Sequence, residues 1–198
     1  KITSELSEKT FNSITVDSDT STSDMVLVST TSSVNMKPIE KFSDKRIKKF
    51  SKTLELVMKE LALEIVKDGE GAKKLIEYQI VNALNNRSAK NIAFSIANSP
   101  LVKTAIAGED PNWGRVIMGI GKSGENIDKN KLTIKFGEFL VCEKGQISES
   151  YDEQKIKEYM QWDSVLIEIN LNQGNDSFEC YTCDFNKDYI DINANYRN

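Results

Sequence analysis

With 198 residues, 39 % apolar and 28 % charged side chains, the chain can build one large domain or two small lobes around a real core. Its net charge of −4 disfavours the phosphate backbones of nucleic acids. No apolar run approaches a membrane span and the N-terminus carries no signal-peptide pattern, so the expected compartment is the cytoplasm. Histidine is absent, which excludes Ser-His-Asp and Cys-His catalysis and His-based metal sites from this chain. Any acid-base chemistry here must use carboxylates, lysine, tyrosine or an α-amine.

Residues 1–11 read as the tail of a helix anchored by Leu6 and Phe11. Ile14-Thr-Val-Asp17-Ser-Asp19-Thr-Ser-Thr-Ser-Asp24 is a dense tract of hydroxyls and carboxylates. Such a tract is either a solvated loop stitched by side-chain to backbone bonds or the lining of a polar site. Met25–Val28 reads as a buried strand. From Ile39 to Val66, Ile47, Phe50, Leu54, Val57, Leu61 and Ile65 recur at spacings of three and four, which predicts an amphipathic helix with Ser43 as its N-cap. Lys45, Lys48, Lys49, Lys52 and Lys59 form its solvated face.

Gly69-Glu70-Gly71 breaks that helix and leaves the backbone free to turn tightly around one carboxylate. Ile76, Tyr78 and Ile80 then alternate with Glu77, Gln79 and Val81, predicting a strand. Ser88 is the expected cap of a second helix carrying Ala89, Ile92, Ala93, Ile96 and Ala97. Gly119-Ile-Gly121-Lys-Ser-Gly124 has GxGxxG spacing but no strand before it. It reads as a helix, Val116–Ile120, ending at Gly121, and not as a dinucleotide cradle.

Strand-like runs follow at Leu132–Phe136, Phe139–Cys142, Val165–Leu171 and Phe178–Asp184, interrupted by a short helix at Asp152–Met160. Gln173–Asp176 is a hairpin-turn candidate. Cys142, Cys180 and Cys183 are an odd set, which argues against a disulfide framework. The CxxC spacing of Cys180 and Cys183 reads as alternation in a strand, since no second pair completes a zinc site. The apolar alternation up to Ile192 predicts a strand that carries the last residues into the body. The fold class is α+β, a layered arrangement of helices around β-sheets, with 1–124 as a sandwich-forming lobe and 125–198 as a strand-rich lobe.

Lys103-Thr104 and Gly108-Glu-Asp110-Pro-Asn112-Trp113-Gly-Arg115 place both charges, an amide and an aromatic plane in one span. That span is either a small-ligand loop or a helix corner in which Asp110 caps the next helix and Arg115 pairs with a carboxylate.

ITVDSDTSTSD at 14–24, KDGEGAKKLIE at 67–77, ANSPLVKTAIAGEDPNWGRVIMGIG at 97–121 and YIDINANYRN at 189–198 together resemble the ornithine acetyltransferase family, the glutamate N-acetyltransferases of arginine biosynthesis. The resemblance implies an αββα-type layered fold. It also implies a precursor that cuts itself into α and β chains, assembled as a heterotetramer of two α and two β chains. The first residue of β is a threonine that carries acetyl from N-acetylornithine to glutamate as an ester, and some members accept acetyl-CoA.

This chain matches the β portion, after that threonine. The nucleophile is therefore expected upstream of Lys1, and none of Thr10, Thr15 or Thr20 replaces it. By the same resemblance Glu70, Asn193 and Asn198 contact substrate, Glu70 as a buried carboxylate pairing with an α-amine. Lys103, Asp110, Asn112, Trp113 and Arg115 shape the site. Two positions depart from the pattern: Lys73 stands where a threonine is usual, and Asn198 where the family ends in serine or threonine. No cofactor and no metal are expected. The alternatives are an N-terminal-nucleophile amidohydrolase of similar architecture and a non-catalytic truncated homologue.

Overall fold

Strand β1 (Leu75–Ala83) buries Ile76, Tyr78, Ile80 and Ala83 and leaves Glu77, Gln79 and Val81 partly exposed, as its alternation predicts. In the computed structural model, which describes residues 1–31 and 33–196, this strand lies between two others. On one side β5 (Ser164–Asn170) runs parallel to it, from the pair Leu75–Ser164 to Val81–Asn170. On the other, β6 (Asp176–Cys183) runs antiparallel, with Tyr78 opposite Cys180. The sheet continues past β5 through β2 (Thr133–Phe136), β3 (Phe139–Glu143) and the two-residue β4 (Gln146–Ile147), in the order β4-β3-β2-β5-β1-β6. β1 comes from the first 124 residues and both of its neighbours from 125–198.

One face of the sheet is covered by helices. Ile76, Tyr78, Ile80, Ile134, Phe136, Val165, Ile167, Ile169 and Cys180 pack there against α3 (Asn86–Ala97), α4 (Pro100–Ala107), α5 (Trp113–Lys122) and α6 (Glu153–Met160). Each large aliphatic side chain removed from water here contributes about 1.5–3 kcal/mol. Gly119 lets α5 approach α3, because a Cβ at that position would sit 3.2 Å from the Ile96 Cα. On the other face Tyr181 and Cys183 of β6 pack with Val66 of α2 (Lys45–Lys67), beside Ile14, Val16 and Leu63. Cys180 and Cys183 thus point to opposite faces, and all three cysteines are free and buried. The chain opens with α1 (Ile2–Ser7) and a 3-10 turn at Phe11–Ser13.

Six sequence expectations are corrected. The segment at 173–176 does not form a hairpin between neighbours, because β6 pairs with β1 and not with β5. The connection instead crosses the end of β1, where the amides of Gln173 and Gly174 both donate to the Asn82 carbonyl (2.8 and 2.9 Å). Helix α2 starts at Lys45, capped by Asp44 and not Ser43: the Asp44 carboxylate accepts from the Arg46 amide at 2.8 Å. Helix α3 is capped by Asn85, which accepts from the amide of Ser88 in the first turn.

Met25–Val28 is not a strand and lies exposed, since no strand among the described residues offers it backbone partners. Likewise Met58, Ala62 and Val66 are the buried residues of α2, while Phe50, Val57, Leu61 and Ile65 of the apolar stripe face outward. Finally, the chain end is a helix, α7 (Lys187–Asn195): Asn186 accepts from the Asp188 amide and sets its first turn, overriding the alternation.

Candidate functional site

The Gly69-Glu70-Gly71 turn is fixed from below and from the side. At Gly69 a Cβ would meet the Val66 carbonyl, Val16 and Cys183 at 3.0–3.4 Å. At Gly71 the backbone has φ +74°, and a Cβ would lie 2.5 Å from the Tyr189 amide nitrogen. Glycine is required here both for the left-handed conformation and for the close approach of α7.

Asp184, at the end of β6 and 4 % exposed, holds the exit of this turn. Its Oδ1 accepts from the amides of Lys73 (2.7 Å) and Lys74 (2.9 Å), and its Oδ2 accepts from Asn186 Nδ2 (2.8 Å). Asn186 Nδ2 also donates to the Gly71 carbonyl at 2.7 Å. The cap of α7 and the glycine turn are therefore one hydrogen-bonded unit. From it Glu70 and Asn193 meet: Asn193 Nδ2 donates to Glu70 Oε2 at 2.5 Å. Tyr189, one helical turn earlier, packs at a tilt against Phe185 with ring centroids 4.3 Å apart and donates to Asp17 Oδ2 at 2.9 Å. Burial and the Asp17 carboxylate push the Tyr189 phenol up to about 12. Asp17 belongs to the hydroxyl- and carboxylate-rich tract, so that part of the tract lines the site.

Lys103 is the cation beneath this unit and is 2 % exposed. Its Nζ donates to Thr182 Oγ1 (2.6 Å) and to the Cys183 carbonyl (2.5 Å). Its own carbonyl accepts from the Phe185 amide. Burial pulls the Lys103 ammonium below the ordinary lysine range, against the opposing pull of Cys183, Asp184 and Asp17.

The other expected residues fall differently. Glu70 is exposed, not buried: it projects from the tip of the turn, where among the described residues it meets Asn193. Lys73 does not pair with Glu70. Its Nζ lies 2.7 Å from Asp188 Oδ2, and that carboxylate raises the ammonium above its usual range. Asp110, Asn112 and Arg115 form a helix corner of their own. Asn112, and not Asp110, caps α5 by accepting from the Arg115 amide (3.2 Å) while donating to Asp110 Oδ2 (3.0 Å). Arg115 Nη1 donates to the Leu101 carbonyl (2.7 Å) and not to a carboxylate.

Trp113 packs on the core. This corner reaches the glycine-turn side of the molecule through Glu109, whose carboxylate accepts from Lys74 Nζ at 3.3 Å. Asn198 lies outside the described residues. Sequence reasoning did not single out Asp184, Asn186 or Tyr189. Asn186-Lys-Asp188 does carry an N-cap signal, but an acid following a strand has no local signature. Among the described residues no group of three or more Cys, Asp or Glu is placed to hold a metal, and no helix is long and apolar enough to cross a membrane.

Fold and site together define an α+β chain that presents a carboxylate and an amide, borne on distant motifs, at a polar rim, with tyrosine and a buried lysine behind them. The sequence matches the ArgJ family over residues 1–198. It is 47 % identical over 191 residues to the arginine biosynthesis bifunctional protein ArgJ of Brucella melitensis, covering 95 % of this chain and 46 % of that protein. The ArgJ of Bartonella henselae is 47 % identical over 194 residues, covering 98 % and 47 % respectively. The crystal structure of the arginine biosynthesis bifunctional protein from Bacillus halodurans superposes with a TM-score of 0.90 at 38 % identity, covering 98 % of this chain and 91 % of that one. The chain belongs to the ArgJ family, as its four motifs indicate, and it spans just under half the length of the curated relatives it matches.

Proposed function

We propose that this chain is the β portion of a glutamate N-acetyltransferase of arginine biosynthesis, working in the cytoplasm. The threonine hydroxyl that opens the β portion, upstream of Lys1, attacks the acetyl carbonyl of N-acetylornithine. The ornithine amine leaves with the proton, and an acetyl-threonine ester remains. The amine of glutamate then attacks the ester, and the threonine oxygen regains its proton. A threonine beside its own α-amine needs no imidazole base, in keeping with a chain that has no histidine. Glu70 receives the amino group of the substrate and Asn193 holds Glu70 and the substrate's polar end in register. Acetyl-CoA is a second donor in this reading.

The observation that carries the proposal is the apposition of Glu70 and Asn193, from two motifs 123 residues apart. The relatives are about twice as long as this chain, whereas the Bacillus halodurans chain is of comparable length. This supports an α chain from the same precursor as partner, and an assembly of two α and two β chains. It also fits the outward-facing apolar side chains of α2 and of Met25–Val28.

The test uses the protein with the upstream portion that its relatives carry. Incubation with N-acetylornithine and glutamate should yield N-acetylglutamate and ornithine, and intact-mass analysis should show one acetyl group on the β portion. Release of free acetate without acetylglutamate would instead mark an amidohydrolase. The isolated 198-residue chain should show no turnover, and robust transfer by it would refute the placement of the nucleophile.

A further inference from the structure

We propose that Lys103 is the positioning residue of this site: by gripping the end of β6 through both its side chain and its main chain, it sets where Glu70 and Asn193 stand. The proposal deepens the reading of Glu70 and Asn193 as substrate contacts and rests on it.

Lys103 lies in α4, on the helix-covered side of the sheet, yet its side chain and its carbonyl both bond to the junction between β6 and α7. Nζ donates to Thr182 Oγ1 and the Cys183 carbonyl, and the Lys103 carbonyl accepts from the Phe185 amide. Between these anchored residues sits Asp184, which fixes the amides of Lys73 and Lys74 at the exit of the glycine turn. One residue beyond them, Asn186 caps α7 and holds the Gly71 carbonyl. The Glu70 turn is also tied back to α2, where the Gly69 amide donates to the Val66 carbonyl, but its exit and the start of α7 are joined through Asp184, inside the segment Thr182 to Phe185 that Lys103 spans.

A cation is suited to that place. Asp184 and Asp17 act on it from the site side, Cys183 and Cys180 from the strand, and its bulk is removed from water. A buried ammonium is expensive unless it is compensated, so a neutral residue of the same length would be the default if packing alone were needed. Among the described residues Lys103 Nζ bonds to Thr182 and Cys183 and not to Glu70 or Asn193, so it acts on them through backbone placement. Displacement of reactive groups by about 1 Å lowers rates by about 100-fold.

The experiment compares Lys103→Met, which keeps length and loses the charge, with Val102→Ala, which weakens the same helix from the core side. Both are made in the protein carrying the upstream portion. Hydrogen exchange and steady-state acetyl transfer are read on each. Lys103→Met should speed exchange about tenfold or more at the amides of Lys73, Lys74 and Phe185 and in the first turn of α7, leaving β1 and β5 protected. Its kcat/KM should fall by about 10- to 100-fold, mainly through KM for the amino-acid substrates. Val102→Ala should change neither readout selectively.

Unchanged local exchange in Lys103→Met, or changed exchange with an unaltered KM, overturns the proposal. If Lys103→Met does not fold, Thr182→Val removes one acceptor and keeps the shape. It should then show the same exchange pattern at smaller amplitude, and its absence overturns the proposal. If the parent protein transfers no acetyl group, the functional reading fails by itself, and the exchange pattern alone decides the role of Lys103.

Discussion

Asn193 donates to Glu70 across 123 residues of sequence, one side chain at the tip of a glycine turn and the other on the exposed flank of α7. Neither side chain is held by the core, so their encounter is set by the backbone beneath them. In the proposed reading of both as substrate contacts, chemistry and stability are therefore separable.

Glu70→Gln should therefore lower kcat/KM for acetyl transfer by about 10- to 100-fold, the value of losing one charge-assisted contact to an amine. Thermal or urea unfolding should move by less than about 0.5 kcal/mol, because Glu70 is exposed. A variant as active as its parent would remove Glu70 from the site.

Gly71→Ala should do the reverse and damage the scaffold. The residue would be forced into φ +74°, with its Cβ against the Tyr189 amide nitrogen and the Asp188 carbonyl carbon. A loss of at least about 2 kcal/mol in urea unfolding is expected, together with exposure of α7 to proteolysis.

Tyr78 is fully buried in β1, and its hydroxyl has no hydrogen-bond partner among the described residues. Burial raises its phenol far above the usual range, so it stays neutral at any working pH. Tyr78→Phe removes an uncompensated polar atom and should be neutral or stabilising by about 1 kcal/mol. Denaturant unfolding measures this, and a clear destabilisation would reveal a partner for the hydroxyl.

Tyr189 links α7 to Asp17 through its protonated phenol. Its value in the folded protein, about 12, lies above the ordinary 10.0, so the protonated form is favoured by folding. The corresponding stabilisation is fully present below pH 10 and is lost as pH rises through 12. Spectrophotometric titration should show a late phenol phase near 12, ahead of the still higher Tyr78 and Tyr181, that coincides with loosening of α7. Tyr189→Phe should abolish that phase and leave the remaining tyrosines unchanged.

The parts of this molecule that follow a local rule were legible in the residues. Alternation and strand-like runs located β1, β5 and β6, small residues on a helical face located α3, and the helix ending near Gly121 located α5. What eluded it depends on distance. Turn composition at Gln173–Asp176 signals a change of direction but not which strand stands next door, and here β1 intervenes. Apolar runs at Met25–Val28 and along α2 say that a surface resists water, not which surface covers it. At the chain end, a cap at Asn186 outweighed an alternation of the same residues, because a satisfied first turn lets a helix propagate. The site was legible only through resemblance: Glu70 and Asn193 came from motifs, whereas Asp184, which unites them, follows a strand without any local mark.

The position of β1 bears on how the chain is made. Both of its neighbours, β5 and β6, are synthesised after α3, α4, α5 and α6, so its backbone edges stay open while most of the remaining chain leaves the ribosome. During that interval the small-residue face of α3, which follows at once, shields Ile76, Tyr78 and Ile80 on one side only. Closure must wait for the last strand, a non-local step that slows folding and leaves the nascent protein reliant on protection from aggregation.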